Sequence, residues 1–345
     1  EETRMYIMYY DSGTTNTRAY LLKDGAIVRS MAKAIGAKNS ALERDNTRLV
    51  GELYSMYEKL LADEQITGSD VSHVFLSGMI SCPSGIVEVE HLPAPVDAGT
   101  LRENVAVYRD DRFFNRELEI IPGIKTLERG ALVPPELAAS VNIMRGEEIE
   151  VFGILRANPE LSKGTCVFVL PGSHTQAVLV KDGRIEDISS NITGEFFKAI
   201  TKESILGASV SGGEQWVIDH EMVRLGARNM HEYGFNRAMY ILRILDLFTE
   251  ADLNGRRSYF EGALNVGVMD AVSRMIEKCG ASETETAAPG AVDENGQIRL
   301  AVVGDEIQKE IFAAFCEEYT RFQMIPVREA AGMPFSVSGL LGMIS

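Results

Sequence analysis

The chain has 345 residues, of which 45% are apolar and 24% charged, enough apolar material for two substantial cores. Its 50 acidic residues against 34 basic ones leave a net charge of −16, which sets it against nucleic-acid phosphates and anionic membrane surfaces. The four cysteines (Cys82, Cys166, Cys279 and Cys316) are dispersed without a C-x-x-C pair, and neither a leader peptide nor an apolar run of about 18 residues is visible, so a reduced cytoplasm is the expected home.

Residues 5–10 (MYIMYY) read as a strand that ends in the polar turn Asp11-Ser12-Gly13-Thr14-Thr15. A second strand is expected over 17–22, a turn at Lys23-Asp24-Gly25 and a third strand over 27–34, giving an antiparallel meander. Leu49, Leu53, Met56, Leu60 and Leu61 recur at helical spacing and predict a helix over 45–63. Residues 71–76 form a buried-strand candidate ending at Ser77-Gly78. The stretch 80–118, rich in Pro, Gly and charge, reads as loops with short elements suited to lining a cleft, and 119–123 (EIIPG) as a short strand. Residues 142–158 are expected to be one helix, with Glu147 and Glu148 in its first turn, where negative charge suits the helix dipole.

The second half repeats this plan. A strand over 165–170, a tight turn over 171–175, a strand over 176–180, the turn Lys181-Asp182-Gly183 and a strand over 184–189 follow in order. Residues 214–278 read as mainly helical, 281–296 as a solvated loop, 298–303 as a strand, Gly304-Asp305 as a turn and 306–322 as a helix. The apolar tail from Gly339 completes a further helix.

The first hairpin carries the strongest chemical signal. Backbone N–H groups around Gly13, Thr14 and Thr15 can form an anion-binding concavity, with the Thr hydroxyls as added donors. Asp11 at the strand end is placed to hold Mg2+ through water, and Arg18 adds positive charge. An ordinary hairpin would use Asp and Thr in the same places. The second hairpin offers Gly172, Ser173 and His174, with no acidic residue where Asp11 sits in the first, so metal anchoring falls on the first half. His174 serves either a phosphate or its own turn. Gly304 leaves room for an adenine or ribose face. No P-loop, H-E-x-x-H or G-x-S-x-G pattern occurs.

The run Asp11-Ser12-Gly13-Thr14-Thr15-Asn16-Thr17-Arg18 resembles the phosphate 1 motif of the sugar kinase/actin/Hsp70 superfamily. Leu76-Ser77-Gly78-Met79, Asn142 to Glu148 (NIMRGEE), Leu170-Pro171-Gly172-Ser173-His174 and Thr193-Gly194-Glu195 are similar, in order and rough spacing, to the 2-keto-3-deoxygalactonokinase family. Cys82 and Pro83 depart from the small polar residues expected in their loop. The resemblance implies an α/β fold of two actin/hexokinase-like (ribonuclease H-like) domains with mixed five-stranded sheets and a cleft between them. It places the first domain at 1–162 and the second at 163–345, with the last helix returning to the first. It implies transfer of the ATP γ-phosphoryl group, with Mg2+, to the terminal hydroxyl of 2-dehydro-3-deoxygalactonate, with 2-keto-3-deoxygluconate, an aldose or water as rival acceptors. Glu147 is then the candidate base, Glu148 its rival by one residue of register, and Arg145 the candidate grip on the substrate carboxylate. Gly78, Met79, Thr193 and Glu195 are the remaining substrate candidates. Glu195 and Arg145 are equally readable as a helix cap and a surface ion pair. Oligomeric state is left open, a homodimer among the options.

Overall fold

A computed structural model describes residues 6–213, 216–281, 297–329 and 332–345. The loop expected at 281–296 lies, from 282 onward, outside the described residues. In chain order the structure runs β1 (Tyr6–Ser12), β2 (Thr17–Lys23), β3 (Ala26–Lys33), α1 (Ala37–Glu43), α2 (Thr47–Glu64), β4 (Val71–Gly78), β5 (Leu92–Pro93) and α3 (Ala98–Glu103). It continues with β6 (Ala106–Asp110), β7 (Arg116–Ile120), β8 (Ile124–Lys125), β9 (Ile143–Met144) and α4 (Glu147–Ala157). The second half contributes β10 (Thr165–Leu170), β11 (Thr175–Lys181), β12 (Arg184–Asn191), α5 (Thr193–Glu203), α6 (Gly207–Val210), α7 (His220–Phe248, broken at Gly234), α8 (Leu253–Ala281), β13 (Ile298–Val302), α9 (Glu306–Cys316) and β14 (Phe322–Met324), and α10 (Phe335–Ile344) closes the chain.

Two compact units result. One comprises Glu1–Glu160, Gly183–Ile185 and Arg328–Ser345, the other Leu161–Asp182 and Glu186–Val327. In the first, a six-stranded sheet has the order β3-β2-β1-β4-β7-β6, and β5, β8 and β9 form a small second sheet. In the second, the order is β12-β11-β10-β13-β14. Each large sheet opens with an antiparallel meander and then adds a parallel strand beside its first, the mixed α/β arrangement expected of actin/hexokinase-like domains. Both meanders use the same turn chemistry: Asp24 and Gly25, like Asp182 and Gly183, have positive φ, as a two-residue hairpin turn requires.

The first core packs Leu49, Leu53, Met56 and Leu60 of α2 against Met8, Leu21, Val74 and Leu76 of the sheet. The second packs apolar faces of α7, α8 and α9 against Val167, Val169, Leu300 and Val302. Among the described residues no helix is long and apolar enough to cross a membrane.

Three expectations need correction. The first sheet has six strands rather than five, because the stretch read as loops folds part of itself into the β6–β7 hairpin, and β7 stops at Ile120. Residues 142–158 are not one helix: Ile143–Met144 pairs with β8, and Gly146, at φ 113, separates that strand from α4. The helix expected over 306–322 ends at Cys316, because Phe322–Met324 adds a parallel strand beside β13 instead.

Helix α10 belongs to the first unit and crosses α4 where both are glycine. A Cβ on Gly339 would stand 1.8 Å from the Ile149 carbonyl oxygen, and one on Gly153 would stand 1.9 Å from that of Phe335. Gly339→Ala is expected to lower unfolding stability by about 1–3 kcal/mol or more in a urea titration, since neither backbone can withdraw from the other.

Candidate active site

The site in the first unit is built on the C-terminal ends of two parallel strands. The register sets Asp11 opposite both Arg18 of β2 and Ser77 of β4, and Ser12 opposite Gly78. Asp11 is largely enclosed; burial raises its pKa, and Arg18, 3.6 Å away, together with the Ser336 hydroxyl, pulls it back. Below the hairpin tip, the Ser12 and Thr17 hydroxyls meet at 2.9 Å, and Thr17 donates to the Ile35 carbonyl at 2.8 Å. At the tip, the Gly13 N–H donates to the Asn16 carbonyl at 2.8 Å, so this amide closes the turn and is not open to a ligand. Thr14 and Thr15 are exposed, and their amides make no hydrogen bond among the described residues. The Thr15 hydroxyl accepts from Asn16 at 3.1 Å.

The start of α4 supplies the acidic groups. Both carboxylate oxygens of Glu148 accept from the Gly146 N–H, at 2.9 and 2.7 Å, so this fully buried side chain closes the turn into the helix. Glu147 differs. Its Oε2 is buried without a hydrogen-bond partner, and burial, with a contribution from the charge of Asp11, pushes its pKa up to about 7. Glu150, three residues on and so on the same helix face, is pushed up to about 8 by burial and then by Asp11 and Glu147. Glu150 was not among the candidates. Its i,i+3 spacing from Glu147 is the signal that would have found it once the helix start was fixed at 147 rather than 142.

Gly78 ends β4 at φ 83, and a Cβ there would stand 2.5 Å from the Ser12 carbonyl oxygen. A Cβ on Gly146 would stand 3.2 Å from the Gly78 Cα, so the hairpin base, the end of β4 and the start of α4 converge. Met79, half-buried, opens the 3-10 turn that follows.

Arg145 is not held open for a ligand. One terminal nitrogen donates to the carbonyl and hydroxyl of Ser81; the other donates to the Val89 carbonyl at 3.2 Å and to His91 Nδ1 at 3.1 Å. Its fork therefore fastens the 79–91 loop to the start of α4. His91, whose pKa burial and then Arg145 push down to about 4, is a neutral acceptor toward it.

In the second unit, Gly172, Ser173 and His174 lie in the tip between β10 and β11. Thr193 and Glu195 open α5 and meet that same tip: the Thr193 hydroxyl lies 2.6 Å from that of Thr175, and Glu195 lies 3.5 Å from His174 Nε2. They thus belong to the second hairpin, whereas Gly78, Met79 and Arg145 belong to the first unit. Gly304 follows β13, and Asp305 is engaged as the cap of α9, accepting from the Gln308 N–H at 2.9 Å. Among the described residues no group of three or more His, Cys, Asp or Glu side chains is close enough to form a metal cage.

The buried acids give a pH dependence of known sign. The pKa values of Glu147, Glu148 and Glu150 rise to about 7, 8 and 8 in the folded chain, against ~4.3 unfolded. The folded state therefore binds more protons than the unfolded one between those limits. Stability from these groups is complete below about pH 4 and is lost as pH rises through 7 and 8. The melting temperature is expected to fall from about pH 5.5 to 8.5, and less so in Glu148→Gln, which keeps an acceptor for Gly146.

The sequence of residues 11–283 matches the family model described as 2-keto-3-deoxy-galactonokinase. A Rhizobium meliloti (strain 1021) protein named as a probable 2-dehydro-3-deoxygalactonokinase is 26% identical over 212 residues, 61% of this chain and 60% of its own length. The 2-dehydro-3-deoxygalactonokinase of Escherichia coli (strain K12) is 23% identical over 201 residues, 58% of each chain. The chain thus spans about three-fifths of the length of the curated relatives it matches. A crystal structure of a Sinorhizobium meliloti protein, provisionally described as a 2-dehydro-3-deoxygalactonokinase, superposes with a TM-score of 0.66 at 18% identity, covering 99% of this chain and 97% of that one, and supports the same fold. With the family pattern running through Asp11, both hairpins and the start of α4, the chain belongs to the 2-keto-3-deoxy-galactonokinase family.

Proposed function

We propose that this chain is an ATP-dependent kinase that transfers the γ-phosphoryl group to the terminal hydroxyl of 2-dehydro-3-deoxygalactonate. The observation that carries the reading is the buried Oε2 of Glu147 at the start of α4, an acceptor with no hydrogen-bond partner, whose carboxyl feels the charge of Asp11 on the strand that leads into the phosphate-type hairpin. Glu147 accepts the proton of the attacking hydroxyl, and a pKa near 7 suits that task. Glu148, occupied by Gly146, shapes the turn that presents Glu147. Thr14 and Thr15 of the first hairpin, and Ser173 and His174 of the second, hold phosphate oxygens through their amides, and Arg18 adds charge near Asp11. Gly304 lies in the adenosine part of the second unit. Gly78 and Met79 border the acceptor site, and Arg145 shapes it by holding the 79–91 loop.

Mg2+ fits the donor chemistry. The charge of Asp11 raises the pKa values of Glu147 and Glu150, and that of Glu147 raises Glu150 further, so negative charge gathers here, and Mg2+ commonly binds through one or two carboxylates, waters and substrate phosphates. When bound, it would screen phosphate charge, with Asp11 as its protein anchor.

ADP release should be measured with Mg-ATP and a panel of 2-dehydro-3-deoxygalactonate, 2-keto-3-deoxygluconate and aldoses. Turnover is expected to depend on the galactonate-derived acid. Fast ATP hydrolysis indifferent to every acceptor would end the kinase assignment.

A further inference from the structure

We propose that Gly36 and Gly194 are positioning residues for phosphate recognition: each lets the start of a helix seat against one hairpin tip and turn the amides of that tip outward. The proposal rests on the kinase reading above and assigns a role to two residues outside the hairpins themselves.

In the first unit, Gly36 precedes α1. A Cβ there would stand 2.5 Å from the Gly13 carbonyl oxygen and 2.6 Å from both the carbonyl carbon and oxygen of Thr14. Its φ of −169 is extended backbone open to any residue, so space and not conformation demands glycine. Through this gap the Ala37 N–H reaches the Gly13 carbonyl at 3.3 Å, and the Lys38 N–H reaches that of Thr14 at 2.9 Å. In a trans peptide the C=O and N–H point in opposite directions. Anchoring the carbonyls of Gly13 and Thr14 on α1 therefore directs the N–H groups of Thr14 and Thr15 away from it. Those two amides have no partner among the described residues, whereas the Gly13 amide is closed into the turn.

The second unit repeats the device with different side chains. A Cβ on Gly194 would stand 2.1 Å from the Gly172 carbonyl oxygen and 3.1 Å from the Ser173 Cα. The Glu195 N–H donates to the Ser173 carbonyl at 3.0 Å. The Ser173 and His174 amides consequently face away from α5, and neither has a partner among the described residues. Each tip is thus set before any anion arrives, which removes an ordering cost from binding. An added methyl at position 36 would lie about 1 Å inside ordinary contact with backbone that is itself hydrogen-bonded, so the tip must shift or twist.

The test uses the full chain labelled with 15N and titrated with a non-hydrolysable ATP analogue. The amides of Thr14, Thr15, Ser173 and His174 are expected to shift and gain exchange protection, with that of Gly13 little changed. Calorimetry on Gly36→Ala, with its fold checked by circular dichroism, is expected to show affinity lower by about 10–100-fold, the scale of a misplacement near 1 Å. Gly267→Ala, where a Cβ meets nothing within 4 Å, should bind as wild type. A response at Gly13 with none at Thr14 and Thr15 would overturn the proposal, as would folded Gly36→Ala binding normally. Should Gly36→Ala not fold, the wild-type resonances decide alone. Absence of any nucleotide binding to wild type would instead remove the kinase reading on which the proposal stands.

Discussion

Glu147→Gln is expected to lower kcat by a factor of about 10²–10⁴ with a much smaller change in the KM for ATP, the range for loss of a general base. Gln preserves the size of the side chain and one acceptor oxygen, so the loss would report proton acceptance and not a collapsed pocket. The pH profile sharpens the test. With a pKa raised by burial to about 7, Glu147 must lose its proton before it can act, so kcat/KM in wild type should fall as pH drops below that value. The residual activity of Glu147→Gln should lack this limb. Glu148→Gln is the control: its carboxylate is engaged by Gly146, so its kcat should stay within a few-fold of wild type. Stopped-assay rates across pH for the three proteins decide between them, and a collapse in Glu148→Gln with Glu147→Gln active would exchange their roles.

Much of this arrangement was legible in the sequence because it is local. The two meanders are written in Asp24-Gly25 and Asp182-Gly183, dipeptides that tolerate positive φ, between apolar runs of strand length. Asp11 was placed by the same logic, as the polar stop of a buried strand. What escaped depends on partners distant in the chain. The β6–β7 hairpin carries exposed Val107 and Glu117, so no clean apolar run marks it, and pairing with β4 stabilises it. The NIMRGEE stretch satisfies helix statistics, but Gly146 stands at φ 113 beside Gly78, and that crowding splits strand from helix. Arg145 illustrates the limit for side chains: its charge suggested a substrate carboxylate, whereas Ser81, Val89 and His91, 54 to 64 residues away, take its donors. Gly36 left no trace at all, and Gly194 showed only as the middle of a family-like Thr-Gly-Glu, because a requirement for empty space appears only when the opposing backbone is present.

Asp11→Asn is expected to weaken the apparent affinity for Mg2+ in the assay by about 10–100-fold, the usual effect of losing a group that holds a metal's water shell. A second consequence has the opposite sign. The charge of Asp11 raises the pKa values of both Glu147 and Glu150, so removing it lowers them. Glu147 in the variant would then stay deprotonated to lower pH, and the acid limb of kcat/KM should move downward. At saturating Mg2+ the ratio of variant to wild-type activity should therefore climb as pH falls from about 8 to 6. General damage to the hairpin would reduce activity by a similar factor at every pH, and a metal role confined to Asp11 without coupling to the helix would leave the limb in place. A rising ratio, read alongside a weakened Mg2+ dependence, requires that the carboxylate on β1 and the one on α4 share a single electrostatic site.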